Sequence, residues 1–228
     1  MAGVGFVDYG DVMSSPIGGE KRGRRPDRAT DEIRAAATDI VVAAGDTAAL
    51  THDALVERTG LDREVVRLYY ADIDTLLHDL LLAAYQRLLE RMDLEVSLLE
   101  PGATALDELK ALAVGYVTWA VEDPCGYALA YGVRNERELG LAGLDDGTSP
   151  AAQALDTVIA GVALCRPDLA PDVARELAVG LWLTLHGLIR IRADRPLVVL
   201  PPTTHLIHTI VDVFAVVPGP GPGLRLVE

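Results

Sequence analysis

Residues 51–77 read THDALVERTGLDREVVRLYYADIDTLL, and this stretch decides the fold. Thr51 is a good helix N-cap and Gly60 a good stop, which frames one short helix. Asp62 is placed to cap a second short helix that runs to about Tyr69. Asp72 is placed to cap a third, in which Ile73, Leu76, Leu77, Leu80, Leu81, Ala84 and Leu88 make one long apolar stripe at helical spacing. Two short helices about a tight turn, followed by a long one, predict a helix-turn-helix. Upstream, Ile33, Ala37, Ile40 and Ala44 predict a first helix from about Ala29 to Ala44, with Gly45 ending it. Before that helix stands the basic run Lys21-Arg22-Gly23-Arg24-Arg25-Pro26, which reads as a flexible arm suited to phosphate or the minor groove. Residues 20–72 are therefore expected to form a head for double-stranded DNA.

The charge distribution agrees with a head at one end only. The 228 residues carry a formal net charge of −14, which excludes a surface coated for nucleic acid throughout. Residues 20–70 nevertheless hold nine Lys/Arg against ten Asp/Glu, so most of the negative charge lies outside the head. Half of the residues are hydrophobic, enough to fill a second and larger core.

That core is expected in a helical body spanning 73–217. Pro101-Gly102 breaks the chain after the long helix. Further helices are predicted over about 103–122, from Pro124 to about Arg134, from about Pro150 to Cys165, from Pro171 to about Ala193, and from a Thr204 cap to a point before Pro218. Leu197-Val198-Val199-Leu200, four residues between prolines, do not make a sheet. The fold class is all-α, with about nine helices by these start and stop signals. Residues 1–19 are Gly-rich and unperiodic and read as a disordered tail; 218–228, led by PGPGPG, read as a flexible one.

The resemblance to a known family rests on two stretches. In the head its carriers are the basic arm, Ile33-Arg34-Ala35-Ala36, Leu50-Thr51, Gly60-Leu61-Asp62 and Tyr69-Tyr70. In the body, Leu181-Trp182-Leu183-Thr184-Leu185-His186-Gly187-Leu188 looks like the Trp-His-Gly stretch of one group of C-terminal domains. Together the chain resembles the tetracycline-repressor (TetR) family of bacterial regulators. The resemblance implies a homodimer paired through the eighth and ninth helices, and repression as the commoner mode. The chain departs from the family pattern in its third helix, where Glu64, Val65, Val66 and Arg67 stand at positions that in members are often Gly-Thr followed by Leu-Tyr, and again at residue 73. Arg67 stands where members carry a tyrosine that touches phosphate, and Ile73 replaces a common lysine.

A helix-turn-helix places the start of its second helix in the major groove. Arg63, Glu64 and Arg67 are then the outward residues. Arg63 suits the guanine edge, Glu64 can accept from a cytosine amino group, and Arg67 can hold phosphate. Thr51 and Tyr69 join Arg22, Arg24 and Arg25 in the expected DNA contact set. Leu61, Val66 and Tyr70 are expected to pack the head's core.

In the body, Tyr85, Tyr116, Trp119, Tyr127, Tyr131 and Trp182 are interleaved with Leu, Ala and Val. A cavity among them would be apolar with a few polar handles, suited to a small, largely apolar effector. His186, Arg134 and the tyrosine hydroxyls are the candidate handles. The final helix, with Leu206, Ile207, Ile210, Val211, Val213 and Phe214, has apolar residues beyond one stripe, so burial on two sides is expected, one of them against a second copy.

Other classes leave little mark. The five histidines form no triad with acids or cysteines, and His205 and His208 lack a third metal ligand. No Gly-rich phosphate loop appears, so neither a cofactor nor catalysis is expected. Cys125 and Cys165 sit in apolar surroundings and read as buried thiols without a disulfide framework. No signal peptide is evident, and the longest apolar run, Leu177–Ile189, falls short of the roughly 20 residues a membrane span needs. A cytoplasmic protein without a membrane partner is expected. The contrasting possibility is a TetR-like module that has lost sequence-specific DNA binding and acts by ligand capture or protein contacts.

Overall fold

The computed structural model describes residues 24–132 and 150–216. Among these it contains helices and turns and no strand. The helices are α1 (Arg24–Ala44), α2 (His52–Thr59), α3 (Arg63–Tyr69), α4 (Ile73–Ser97), α5 (Ala105–Glu122), α6 (Pro124–Tyr127), α7 (Pro150–Cys165), α8 (Pro171–Asp194) and α9 (Thr203–Ala215). The all-α expectation holds.

Local chemistry explains most boundaries. Thr51 Oγ1 accepts from Ala54 N at 3.1 Å, and Gly60 closes α2 in the left-handed region at φ 70°. Asp72 accepts from the backbone and the hydroxyl of Thr75, which starts α4 firmly and holds its own carboxyl below the usual range. Thr104 and Asp107 form a reciprocal capping box at the start of α5. Between α1 and α2, Asp46 caps a short 3-10 turn, Thr47–Ala49.

Several expectations need correction. Helix α1 begins at Arg24, five residues early, so Arg24 and Arg25 lie in its first turn and not in a flexible arm. Pro26 permits this, because the first turn of a helix leaves its N–H groups unpaired anyway. Asp62 occupies the N-cap position of α3, but its side chain makes no capping bond. Pro202, not Thr204, holds the N-cap position of α9. Helix α6 is a single turn that passes into a π-helical turn at Ala128–Gly132. Cys125 and Cys165 are free thiols, half-buried and not fully buried. Arg22, Arg134, the 1–19 tail and the 218–228 tail lie outside the described residues.

Two apolar cores follow. The smaller joins Ile33, Val41, Leu50, Leu55 and Val66 to Leu76, Leu77 and Leu80 in the first turns of α4. The larger joins the rest of α4 to α5, α7, α8 and α9. Helix α4 thus belongs to both. Helices α4 and α5 run antiparallel, with Arg87 bonded to Asp123 at 2.7 Å. Further along they meet so closely that a Cβ on Gly115 would stand 2.7 Å from the Met92 backbone. On the other side of the body, Gly180 of α8 gives room to Phe214 of α9.

Candidate functional site

In the head, α3 lies across α2 with Val66 fully buried and Leu61 and Tyr69 partly buried against the same core. Tyr70 is buried at the C-terminal end of α3. This leaves Arg63, Glu64, Arg67 and Leu68 exposed on the outer face. Leu68, 80 % exposed, is an outward residue that helical periodicity could have nominated and the sequence reading passed over. Arg63 is not idle: its guanidinium pairs with Asp53 of α2. Arg67 has no ion pair among the described residues. Thr51 is exposed, with its hydroxyl engaged as the cap of α2. Ile73, where a lysine would have reached phosphate, packs against the head core.

The head is fastened to α4 by a polar knot. Arg34 donates from Nε to Tyr70 Oη at 2.8 Å and from Nη2 to Asp79 Oδ2 at 3.0 Å. Tyr70 Oη donates to the same carboxylate at 3.3 Å. His52 donates from Nε2 to the Tyr70 carbonyl at 2.9 Å. One tyrosine therefore ties α1, α2 and α4 to the end of α3.

In the body, α4, α5, α7, α8 and the π turn enclose a cavity of about 140 Å³. Four of the expected aromatics, Tyr85, Tyr116, Tyr131 and Trp182, are on its wall, with aliphatic and alanine side chains between them. No Asp, Glu, Lys, Arg or His lines it among the described residues. Trp119, Tyr127 and His186 stand behind this wall. Tyr127 stacks on His186 at 5.5 Å between ring centres, and its hydroxyl lies 2.7 Å from His186 Nδ1. Trp119 packs edge-on to Tyr127 and Tyr131.

Burial sets the protonation of these groups. It pushes the Tyr116 and Tyr131 phenols far up, and Tyr127 up to about 12. The same desolvation, with Arg190 nearby, lowers His186 below its ordinary value. The Tyr127 hydroxyl thus stays protonated beside a neutral imidazole. Tyr116 Oη, near Tyr127 and Trp182, and Trp119 Nε1 are buried without a well-formed hydrogen bond among the described residues.

The module adjoining the cavity also reaches the head. Leu129 of the π turn packs against the head core, while Ala130 and Tyr131 beside it line the cavity. Helix α4 is therefore not the sole connection between the two.

The fold is thus a helix-turn-helix head on a cavity-bearing helical body. Residues 109–214 match the model of the tetracyclin repressor-like C-terminal domain. That stretch is therefore a TetR-type C-terminal domain. It is similar in fold to the regulatory protein SCO4313, at 22 % identity and a TM-score of 0.66, over 85 % of this chain and 98 % of that one. A protein assigned as a TetR family transcription regulator from Shewanella sp. PV-4 superposes at 14 % identity and a TM-score of 0.61, over 82 % and 96 % of the two chains. The multidrug binding protein EbrR, solved with imidazole, does so at 22 % identity and 0.52, over 83 % and 96 %. No curated protein matches the sequence. Among the described residues no helix is long and apolar enough to cross a membrane.

Proposed function

We propose that this chain is a ligand-responsive transcriptional repressor. A homodimer paired through α8 and α9 holds a palindromic operator, with α3 of each copy in the major groove. A small, largely apolar molecule entering the body cavity releases it. The observation that carries this reading is the π turn, which sets Leu129 in the head core and Tyr131 on the cavity wall. A ligand that displaces Tyr131 acts on the head through two residues of backbone. It favours release only if it prefers the body shape in which the two heads no longer match successive grooves about 34–36 Å apart.

Support for pairing comes from the outer faces of α8 and α9. Leu183 and Val213 are each 54 % exposed, and Ile191 is 47 % exposed. Among the described residues a Cβ on Gly187 would meet nothing within 4 Å, which leaves room for a helix from outside. The basic residues Arg22, Arg24 and Arg25 are assigned to phosphate beside the head.

The second reading, a TetR-like module without sequence-specific DNA binding, draws on the same head. Glu64 is exposed on the reading face, and Arg63 is held by Asp53. Selection of bound sequences from random duplex DNA separates the two. An enriched palindrome supports the repressor; no enrichment, with a dimer that still binds ligand, supports the second reading.

A further inference from the structure

We propose that the body cavity takes a neutral, single-ring aromatic molecule as its effector. This rests on the reading of the body as a ligand module and goes further, to the ligand's size, charge and shape.

Size comes from the volume. At about 140 Å³ the cavity is close to an engineered apolar cavity of about 150 Å³ that stays dry and admits benzene. One six-membered ring with a small substituent fills such a space. A fused three-ring system does not fit without driving α7 away from α5.

Charge comes from the wall. No ionisable side chain other than the phenols of Tyr85, Tyr116 and Tyr131 lines the cavity among the described residues. Those phenols resist becoming phenolate because the site is desolvated. A carboxylate ligand would meet the same resistance. A cation would find ring faces but no carboxylate, and cation–π attraction is smaller than the cost of stripping an ion of its water.

Shape comes from the rings. Tyr131 stands edge-on to Tyr85, with ring centres 6.0 Å apart and planes at 89°, and 5.7 Å from Trp182. Aromatic pairs favour edge-to-face or offset contacts at 4.5–7 Å between centres. A guest ring between Tyr85, Tyr131 and Trp182 meets several such edges at once. An aliphatic guest of equal volume gains only the burial.

The chain supplies its own reporter, because its two tryptophans are Trp182 on the wall and Trp119 behind it. The test is fluorescence titration and thermal melting of the purified full chain without DNA. The probes are toluene and phenol, with cyclohexane, benzoate, benzyltrimethylammonium and anthracene for comparison. Toluene and phenol should change the emission saturably and raise Tm. Cyclohexane should bind at least several-fold more weakly, and the two ions and anthracene at least tenfold more weakly. Ala154→Leu, which fills the cavity, should abolish the response to toluene while the chain stays helical. Leu155→Phe is the second filling variant should the first not fold. Absence of saturable binding by both neutral rings overturns the proposal, as does tighter binding by an ion or by anthracene. Because DNA is absent, failure to bind an operator elsewhere leaves this result standing. Conversely, operator release by a ligand of another class leaves the repressor reading intact while sinking this one.

Discussion

Leu129 and Tyr131 lie two positions apart in one π-helical turn, yet Leu129 packs on the core of the head and Tyr131 on the wall of the body cavity. Residues two positions apart in a helical turn point in nearly opposite directions, so one turn can face both the head and the cavity. Single π turns of this kind are common at functional sites. Shortening Leu129→Ala should leave the cavity intact and loosen its hold on the head. We expect ligand affinity close to that of the parent and a reduced effect of ligand on DNA affinity. Because linkage is reciprocal, operator DNA should also lose its effect on ligand affinity by the same factor. The folding cost, near the low end for a partly buried leucine, is about 2 kcal/mol. Ligand titrations with and without operator measure it; an undiminished coupling factor in the variant would reject the route.

Gly115 sits where α5 touches the backbone of α4. A methyl there would lie 2.7 Å from Met92 Cα and 3.0 Å from the Arg91 carbonyl oxygen, and backbone cannot rotate away. Gly115→Ala should therefore destabilise by about 1–3 kcal/mol, as overpacking does, despite alanine's better helix propensity. Denaturant unfolding reads this directly. Stability equal to or above that of the parent would show that the two helices part without cost.

Local bonds leave a mark in the sequence, and packing between distant segments does not. Thr51, Gly60 and Asp72 mark helix ends by bonds within three or four residues, so they were legible one by one. The apolar stripe of α4 was legible too, but its division between two cores was not, because periodicity records a face and not the neighbour that covers it. The aromatics of the body were nominated as a group. Their sorting into wall (Tyr85, Tyr116, Tyr131, Trp182) and backing (Trp119, Tyr127, His186) depends on the packing of five segments. The Arg34–Tyr70–Asp79 knot joins residues 36 and 45 positions apart and leaves no mark in the sequence.

On the reading face, Arg63 and Arg67 should behave differently. Arg67→Ala should weaken binding to all duplexes alike and lower the salt slope, as loss of one phosphate contact does. Arg63→Ala should relax preference at one base pair by about 1–3 kcal/mol. The structure adds Asp53→Asn, which frees Arg63 and removes a negative charge beside the DNA. That variant should bind operator more tightly than the parent. Binding selections and salt titrations on the three variants decide; a common profile identical to the parent's would place the DNA elsewhere.

His186 should make the body sensitive to acid. Its surroundings are Tyr127 and Tyr131 from the α6 and π segment, and Trp182 and Arg190 on its own helix. Burial, helped by Arg190, lowers its pKa in the folded chain, while the unfolded chain keeps about 6.5. Above that value both states hold a neutral ring and the shift contributes no difference. Below it the unfolded state binds the proton more readily, so stability falls as the pH drops from about 6.5 toward 5. His186→Gln removes this titration. Its melting temperature should decline less steeply over that interval than the parent's; parallel declines would mean that another group governs the acid side.

The outer faces of α8 and α9 carry the last prediction. Ile210, which helical spacing alone would nominate for pairing, is packed inward against the body core, whereas Leu183 and Val213 face outward. Leu183 and Ile191 flank Gly187 at four-residue spacing on α8, and Val213 is exposed on α9. Two copies related by a two-fold axis would bring each patch onto its own equivalent. Leu183→Glu places a carboxylate in that patch, and in a dimer it would face its own copy or apolar side chains without a cation to pair with. The cost of burying an unpaired charge far exceeds what one leucine contributes. The variant should sediment as a folded monomer and lose operator affinity, because a single head spans only one half-site. Leu98→Glu, on an exposed residue at the end of α4, should change neither property and serves as the control. A parent chain that sediments as a monomer, or a Leu183→Glu variant that remains a dimer, would move the interface away from these two helices.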